Sequence, residues 1–242
     1  MSTLPTNGDQ SAAVRRAFAE SHVGLVRDGN EDACAVSSVN ERVSTWSGLI
    51  STHDGWALLA DGVGGHVAGE IASALAIEIM RPLMSALQTD EDIQNAVNEA
   101  DTGLFMAMEM RPELHGMGTT IAGVLFRQGG AITFSAGDSR AYAFQDGVLA
   151  QMSVDDRGKR GCLLQCLGGF QEPVPLFVHT RRVEGNPTIL LCTDGLTDLV
   201  ADDEISAILS GPAANPAQAL VDAALNAGGH DNVTVLVVQG GS

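Results

Sequence analysis

Between residues 119 and 144, three strand-like runs follow one another with almost nothing between them: "TTIAGVLF" (119–126), "AITFSAGD" (131–138) and "RAYAF" (140–144). A parallel crossover needs a dozen residues or more, so neighbours this close must pair antiparallel. Gly129-Gly130 and Asp146-Gly147 supply the hairpin turns. Similar runs stand at 17–24, 32–39, 56–61, 176–183, 188–194 and 232–239. Helical spacing interrupts them. Ile71, Leu75, Ile79, Leu83 and Leu87 repeat at four-residue steps, with Pro82 expected to kink or break the helix. Ile93, Val97, Leu104 and Met108 keep one face behind the acidic "TDED" that suits a helix start. Helices are also expected over 201–210 and 215–227, the second with Asn215 as N-cap and Pro216 at its first position. Antiparallel strands with grouped helices define an α+β layered architecture.

Residues 1–14 read as a flexible tail and 15–242 as a single domain. The most apolar stretch, 71–87, carries Glu78, Arg81 and Pro82, so no membrane span is expected. The polar start "MSTLPTNGDQSAAVRR" lacks the apolar core of a signal peptide, which makes the cytoplasm the expected location. Thirty acidic against 13 basic residues give a net charge of −17, which argues against a nucleic-acid partner. Cys34, Cys162, Cys166 and Cys192 complete no zinc-ligand pattern and read as buried thiols.

Apolar runs that end in aspartate carry the chemistry. "LLADGVGGHVAGE" (58–70) matches neither a dinucleotide fingerprint nor a P-loop. Asp61 and the Gly62 carbonyl could instead offer oxygen to a hard cation, or the stretch could be a tight turn with Asp61 capping a helix. The pattern returns at "ILLCTDGLTD" (189–198) with Asp194 and at "ITFSAGDSR" (132–140) with Asp138. It returns again at "AGGHDNVTVLVV" (227–238), where Asp231 precedes a strand, and "RDGNED" (27–32) places Arg27, Glu31 and Asp32 ahead of another. Carboxylates that converge from several strand ends need cations to neutralise them.

Together "LVRDGNEDA", "LADGVGGHVAGE", "GMGTTIAGVLF", "AGDSRAYAF", "LLCTDGLTDLV" and "GGHDNVTVLVV" resemble, in order, the motifs of the bacterial metal-dependent PPM/PP2C Ser/Thr protein phosphatases, over about residues 17 to 239. The resemblance implies a four-layer α-β-β-α sandwich with two central antiparallel sheets. It implies two Mn²⁺ or Mg²⁺ ions, with Asp61 bridging both, the Gly62 carbonyl on one, and Asp194 and Asp231 on the other. Glu31 and Asp32 would act around them through ordered water, Asp138 with Asp194 would hold a third, weaker ion, and Arg27 would grip the substrate phosphate. The implied reaction is hydrolysis of phosphoserine or phosphothreonine by a metal-bridging water or hydroxide, in opposition to a Ser/Thr kinase. Two cations about 3.5–4 Å apart lower the pKa of a shared water and clamp the phosphoryl oxygens. The alternatives are a non-catalytic binding module of the same fold, a phosphatase for a small phosphate ester and, for Arg27, a surface pair with Asp28 or Glu31. A monomer is the expected state.

Two departures from the family pattern are visible. Val63 follows Asp61-Gly62, where some relatives place a histidine that acts as general acid. His66 is the nearby candidate acid, or it caps the helix from 67, and a metal-bound water is the other donor. After "MSVDD" (152–156), "RGKRG" leads directly to "CLLQCLGG", so the mobile flap of bacterial relatives is expected to be missing. This short form resembles the phosphatases associated with type VI secretion. The basic residues Arg157, Lys159 and Arg160 are expected to form a solvated turn, with phosphate or an acidic partner as the alternative target.

Overall fold

The computed structural model describes residues 14–63, 67–158, 162–170 and 172–240. Of the expected N-terminal tail, 1–13 lies outside the described residues, while Val14 already opens the first strand.

Two sheets form the centre. One runs β3 (Thr45–Ser51), β1 (Val14–His22), β13 (Val233–Val238), β12 (Thr188–Cys192), β8 (Arg140–Gln145) and β9 (Val148–Gln151). The other runs β10 (Leu167–Gly168), β5 (Gly118–Thr119), β4 (Trp56–Val63), β6 (Ile121–Arg127), β7 (Gly130–Ala136) and β11 (His179–Glu184), with β2 (Asp32–Val36) also on β4. Every strand pair is antiparallel. The β6–β7 turn is Gln128-Gly129, one residue earlier than Gly129-Gly130, because Arg127 already pairs with Gly130. Asp146-Gly147 closes β8–β9 with both residues at positive φ, as a two-residue hairpin turn requires.

Period-2 alternation sorts the apolar residues into three layers. Ala57 and Leu59 of β4, Ile189 and Leu191 of β12, and Leu236 of β13 meet between the sheets. Trp56, Leu58 and Ala60 face the outer pair α1 (Val67–Met80) and α2 (Asp90–Met110). Leu190, Val233, Val235 and Val237 face the short α3 (Asp194–Thr197), α4 (Asp202–Ser210) and α5 (Pro216–Asn226). Each fully buried leucine, such as Leu58 or Leu59, contributes about 1.5–3 kcal/mol. The result is the expected α-β-β-α sandwich.

Helix boundaries follow local chemistry. Thr89 and Asp92 form a reciprocal capping box at the start of α2, which stabilises by about 1 kcal/mol. Asn215 caps α5 by accepting from the Gln218 amide, with Pro216 just inside. The helix expected over 71–87 ends at Met80, because Pro82 has no amide hydrogen and disfavours helical backbone at Arg81. The stretch to Ala86 continues as turns. The strands β3, β9 and β10 carry no clear sequence signal. The first two are sheet edges with one partner each, and the third is two residues long.

A candidate metal centre at one end of the sandwich

The face of each strand that lines the inter-sheet core changes from apolar to polar at one end. Two residues beyond Leu59 comes Asp61, and two beyond Leu191 comes Thr193. Two before Cys34 comes Asp32, two before Leu236 comes Thr234, two before Ala122 comes Thr120, and two before Ala141 comes Ser139. Equal parity puts all of these on the inter-sheet side, and hydrogen bonds knit them together. The Thr193 hydroxyl donates to Asp32 Oδ2 at 3.1 Å and accepts from the Thr234 amide at 3.0 Å. The Asp61 amide donates to Thr120 Oγ1 at 3.0 Å, and Thr120 and Ser139 share a 2.7 Å hydroxyl contact.

Above this polar layer opens a cleft of about 500 Å³. Arg27, Glu31, Asp61, Gly62, Asp138, Asp194 and Asp231 all line it, so the carboxylates expected from five separate motifs do converge. Asp32 lies just beneath, buried and opposite Asp61 in the β2–β4 register. His66, the candidate acid, lies outside the described residues, as do Lys159 and Arg160.

Gly62 and Gly69 of the motif at 58–70 pack against protein. A Cβ on Gly62 would collide with the backbone of Gly69 and with the Glu31 carbonyl, so the start of α1 can lie directly against the end of β4. Gly62 N also donates to that carbonyl at 3.2 Å, and Ser73 Oγ to the same oxygen at 2.5 Å. Gly195 does the same service after Asp194, where a Cβ would strike the Asn232 carbonyl. Asp61 itself sits within β4 and caps no helix.

Among the described residues the cleft gathers more acids than cations. Burial pushes the Asp61 carboxyl well above the ordinary carboxylate range, and the charges of Asp32, Asp194, Asp138 and Asp231 add to it. Asp32 is raised to about 7, chiefly by burial, against the lowering effect of hydrogen bonds from Thr234 and Thr193. Its Oδ1 is buried with no hydrogen-bond partner. Asp194 is raised to about 6 by burial and by Asp138, with Arg157 pulling the other way.

The cations that meet these acids are arginines. Arg27 Nη2 donates to Asp231 Oδ2 at 2.6 Å, not to Asp28 or Glu31. Arg157, expected in a solvated turn, instead reaches into the cleft. Its Nε donates to Asp138 Oδ2, its Nη2 to Asp194 Oδ2 and its Nη1 to Asp198 Oδ1, the last at 2.8 Å. Burial works to lower its pKa, but the bonds to Asp198 and Asp138 prevail and the net shift is upward. With Asp231 drawn to one arginine and Asp138 and Asp194 to the other, no three acidic, histidine or cysteine side chains among the described residues are gathered closely enough to enclose a cation as they stand. The donor set still fits a hard divalent ion. It is all oxygen, its buried members Asp61, Asp32 and Asp194 are raised in pKa chiefly by burial, and it includes an unpartnered buried oxygen.

Sequence reasoning missed Asp198 and misplaced Arg157. A signal for Asp198 existed, since it stands four residues after Asp194 and so on the same side of a helical turn. Cys162, expected to be buried, is exposed, whereas Cys34, Cys166 and Cys192 are buried.

The sandwich thus carries an acid-lined cleft at one end of its strands. A family model for protein phosphatase 2C matches residues 30–227, and the chain belongs to that family. The Ser/Thr protein phosphatase PstP of Mycobacterium tuberculosis is 34% identical over 93% of this chain, which spans only 45% of the length of PstP. The crystal structure of the PstP catalytic domain in complex with two manganese ions is 33% identical. It matches with a TM-score of 0.76, covering 94% of this chain and 99% of that one. PppA, described as a key regulatory component of the type VI secretion system in Pseudomonas aeruginosa, is 26% identical with a TM-score of 0.76, covering 95% and 99%. No helix among the described residues is long and apolar enough to cross a membrane.

Proposed function

We propose that residues 15–242 act as one metal-dependent protein phosphatase domain that hydrolyses phosphoserine and phosphothreonine. The observation that carries this reading is the meeting of Asp61, Asp138, Asp194 and Asp231 in a single cleft between Arg27 and Arg157. Asp61, the Gly62 carbonyl, Asp194 and Asp231 would hold two Mn²⁺ or Mg²⁺ ions. Bound there, the ions would supply a water nucleophile active at neutral pH and neutralise charge on the phosphoryl oxygens.

The protein's own groups do the rest. Arg27 is exposed and hydrogen-bonded to Asp231, so it can turn its planar fork to two phosphoryl oxygens once a cation takes that carboxylate. Glu31 fixes the site through its backbone, which receives Gly62 N and Ser73 Oγ and donates to Asn232 Oδ1 at 2.8 Å. Asp32 backs the centre from below, positioned by Thr193. Leu163, Cys166 and Phe170 form an apolar wall beside the acids, a surface suited to the side chains of a phosphopeptide. The partners that go with this reading are phosphoproteins and the Ser/Thr kinase that makes them. The chain would act as a monomer in the reducing cytoplasm, which the buried thiols of Cys34, Cys166 and Cys192 suit.

The test is phosphate release from a phosphothreonine peptide by metal-stripped protein, titrated with Mn²⁺ and with Mg²⁺, beside Asp61→Asn and Asp194→Asn. Metal-dependent release that both substitutions abolish is the expected result. Metal binding without turnover of the peptide would favour a binding module or a small phosphate ester as substrate.

A further inference from the structure

Arg157 is the most heavily engaged cation of the site. Three different nitrogens of one guanidinium meet three different carboxylates, Asp138, Asp194 and Asp198. Asp138 and Asp194 are the two that a third divalent ion would need.

The chain around Arg157 is fixed as tightly as its side chain. Arg157 pairs with Leu163 as an isolated antiparallel bridge, Gly158 N donates to the Cys162 carbonyl at 2.8 Å, and Leu164 N donates to the Asp156 carbonyl at 2.7 Å. The preceding Asp156 side chain accepts from Gly137 N at 2.9 Å and from Gln165 Nε2 at 2.6 Å, and meets His179 Nε2 at 3.2 Å. Before it, Asp155 receives both Nε and Nη2 of Arg140. Three consecutive side chains therefore anchor this short connection onto the strand ends. It delivers the guanidinium to the acids at a fixed position.

From this geometry we infer that Arg157 is a tethered cation standing in for a third divalent ion, so that the protein works with two ions and admits a third only when Arg157 is removed. The inference rests on the two-ion reading above. A guanidinium keeps its charge at any working pH and offers a rigid fork of donors that matches several carboxylates at once. Held by its own chain, it competes with free metal at a high effective concentration, and so occupies the position whatever the metal supply.

Counting bound Mn²⁺ per chain by calorimetry and by electron paramagnetic resonance tests this on residues 1–242 up to millimolar Mn²⁺. The wild type is expected to bind two ions. Arg157→Ala is expected to bind three, the third weakly, and to lose that third again when Asp138→Asn is added. Arg157→Lys, which keeps a positive charge in place, should remain at two. A wild type that takes up three ions overturns the inference without any variant, and so does a folded Arg157→Ala that stays at two. In either case metal-dependent hydrolysis of the phosphopeptide by the wild type would leave the two-ion reading standing. A wild type that binds no divalent ion would overturn both.

Discussion

Asp32 and Asp61 are register partners in the β2–β4 ladder, so folding sets two carboxylates side by side on the inter-sheet face of one sheet. Among the described residues neither has an arginine partner, because Arg27 goes to Asp231 and Arg157 to Asp138, Asp194 and Asp198. The fold thus places uncompensated negative charge at the centre of the cleft, beneath the two cationic arms. A divalent ion, which adds positive charge between the carboxylates, is the natural complement to that arrangement.

The pH dependence of the metal-free protein follows from this crowding. Burial raises Asp32 to about 7 and Asp194 to about 6, and raises Asp61 well above the ordinary range. A carboxyl whose folded pKa lies above its unfolded value binds more protons when folded, so stability falls as pH rises between the two. The metal-free protein should therefore lose stability between about pH 4 and the 6 to 7 at which Asp194 and Asp32 titrate. Added Mn²⁺ should raise Tm more at pH 7.5 than at pH 5, where protons compete for the same oxygens. Thermal melts with and without metal across this range check it. A metal-free Tm that climbs steadily from pH 4 to 7 would refute the charge assignment.

Asp61→Asn should move activity and stability in opposite directions. Loss of the central carboxylate should cost more activity than the about 10–100-fold typical of an outer-shell partner. The metal-free variant should nevertheless melt higher, since a buried charge facing four other acids is gone. Each kcal/mol relieved corresponds to about 2–4 °C in a protein of this size. Phosphopeptide turnover and a metal-free melt, run on the same preparation, read both effects.

Thr193→Val isolates the polar layer from the metals. The substitution keeps shape but removes the hydroxyl that donates to Asp32 Oδ2 and accepts from the Thr234 amide. Both partners are buried, and leaving such groups unsatisfied costs about 1–3 kcal/mol each. Urea unfolding of the metal-free protein should show that loss with an unchanged slope. A change below about 0.5 kcal/mol would mean that the threonine only fills space.

How far the site was legible in the sequence depends on whether its parts are local. Asp61 ends an apolar run whose period-2 pattern fixes the strand and the facing side together, so both its element and its direction could be read, whereas Asp194 lies past the end of β12, at the start of α3, where strand parity no longer sets its direction. The convergence of Asp138 and Asp231 on the same cleft came with the sandwich topology that the motif order implied. Arg157 was not legible as a site residue. Its three partners lie 19, 37 and 41 residues away and meet only after β8, β12 and α3 have packed. A local pattern rich in glycine and basic residues reads as solvent-exposed turn until those contacts exist. Gly62 and Gly69 read in the sequence as parts of a glycine-rich loop, whereas in the structure they lie where two protein segments touch.

Arg27 gives the prediction that most directly separates a structural role from a functional one. Its pair with Asp231 is largely exposed, with side-chain accessibilities of 53% and 38%, so losing it should leave stability within about 0.5 kcal/mol. A bidentate bond to a substrate phosphate is a different matter, because charge-assisted hydrogen bonds in such a site contribute about 1.5–3 kcal/mol. Arg27→Ala should therefore raise KM for a phosphopeptide by about 10–100-fold while Tm and the number of bound Mn²⁺ ions stay unchanged. Arg27→Lys should recover only part of the loss, since an ammonium keeps the charge but cannot span two oxygens. Unchanged KM in both variants, with normal folding and metal content, would confine Arg27 to its contact with Asp231 and move phosphate recognition to another group lining the cleft.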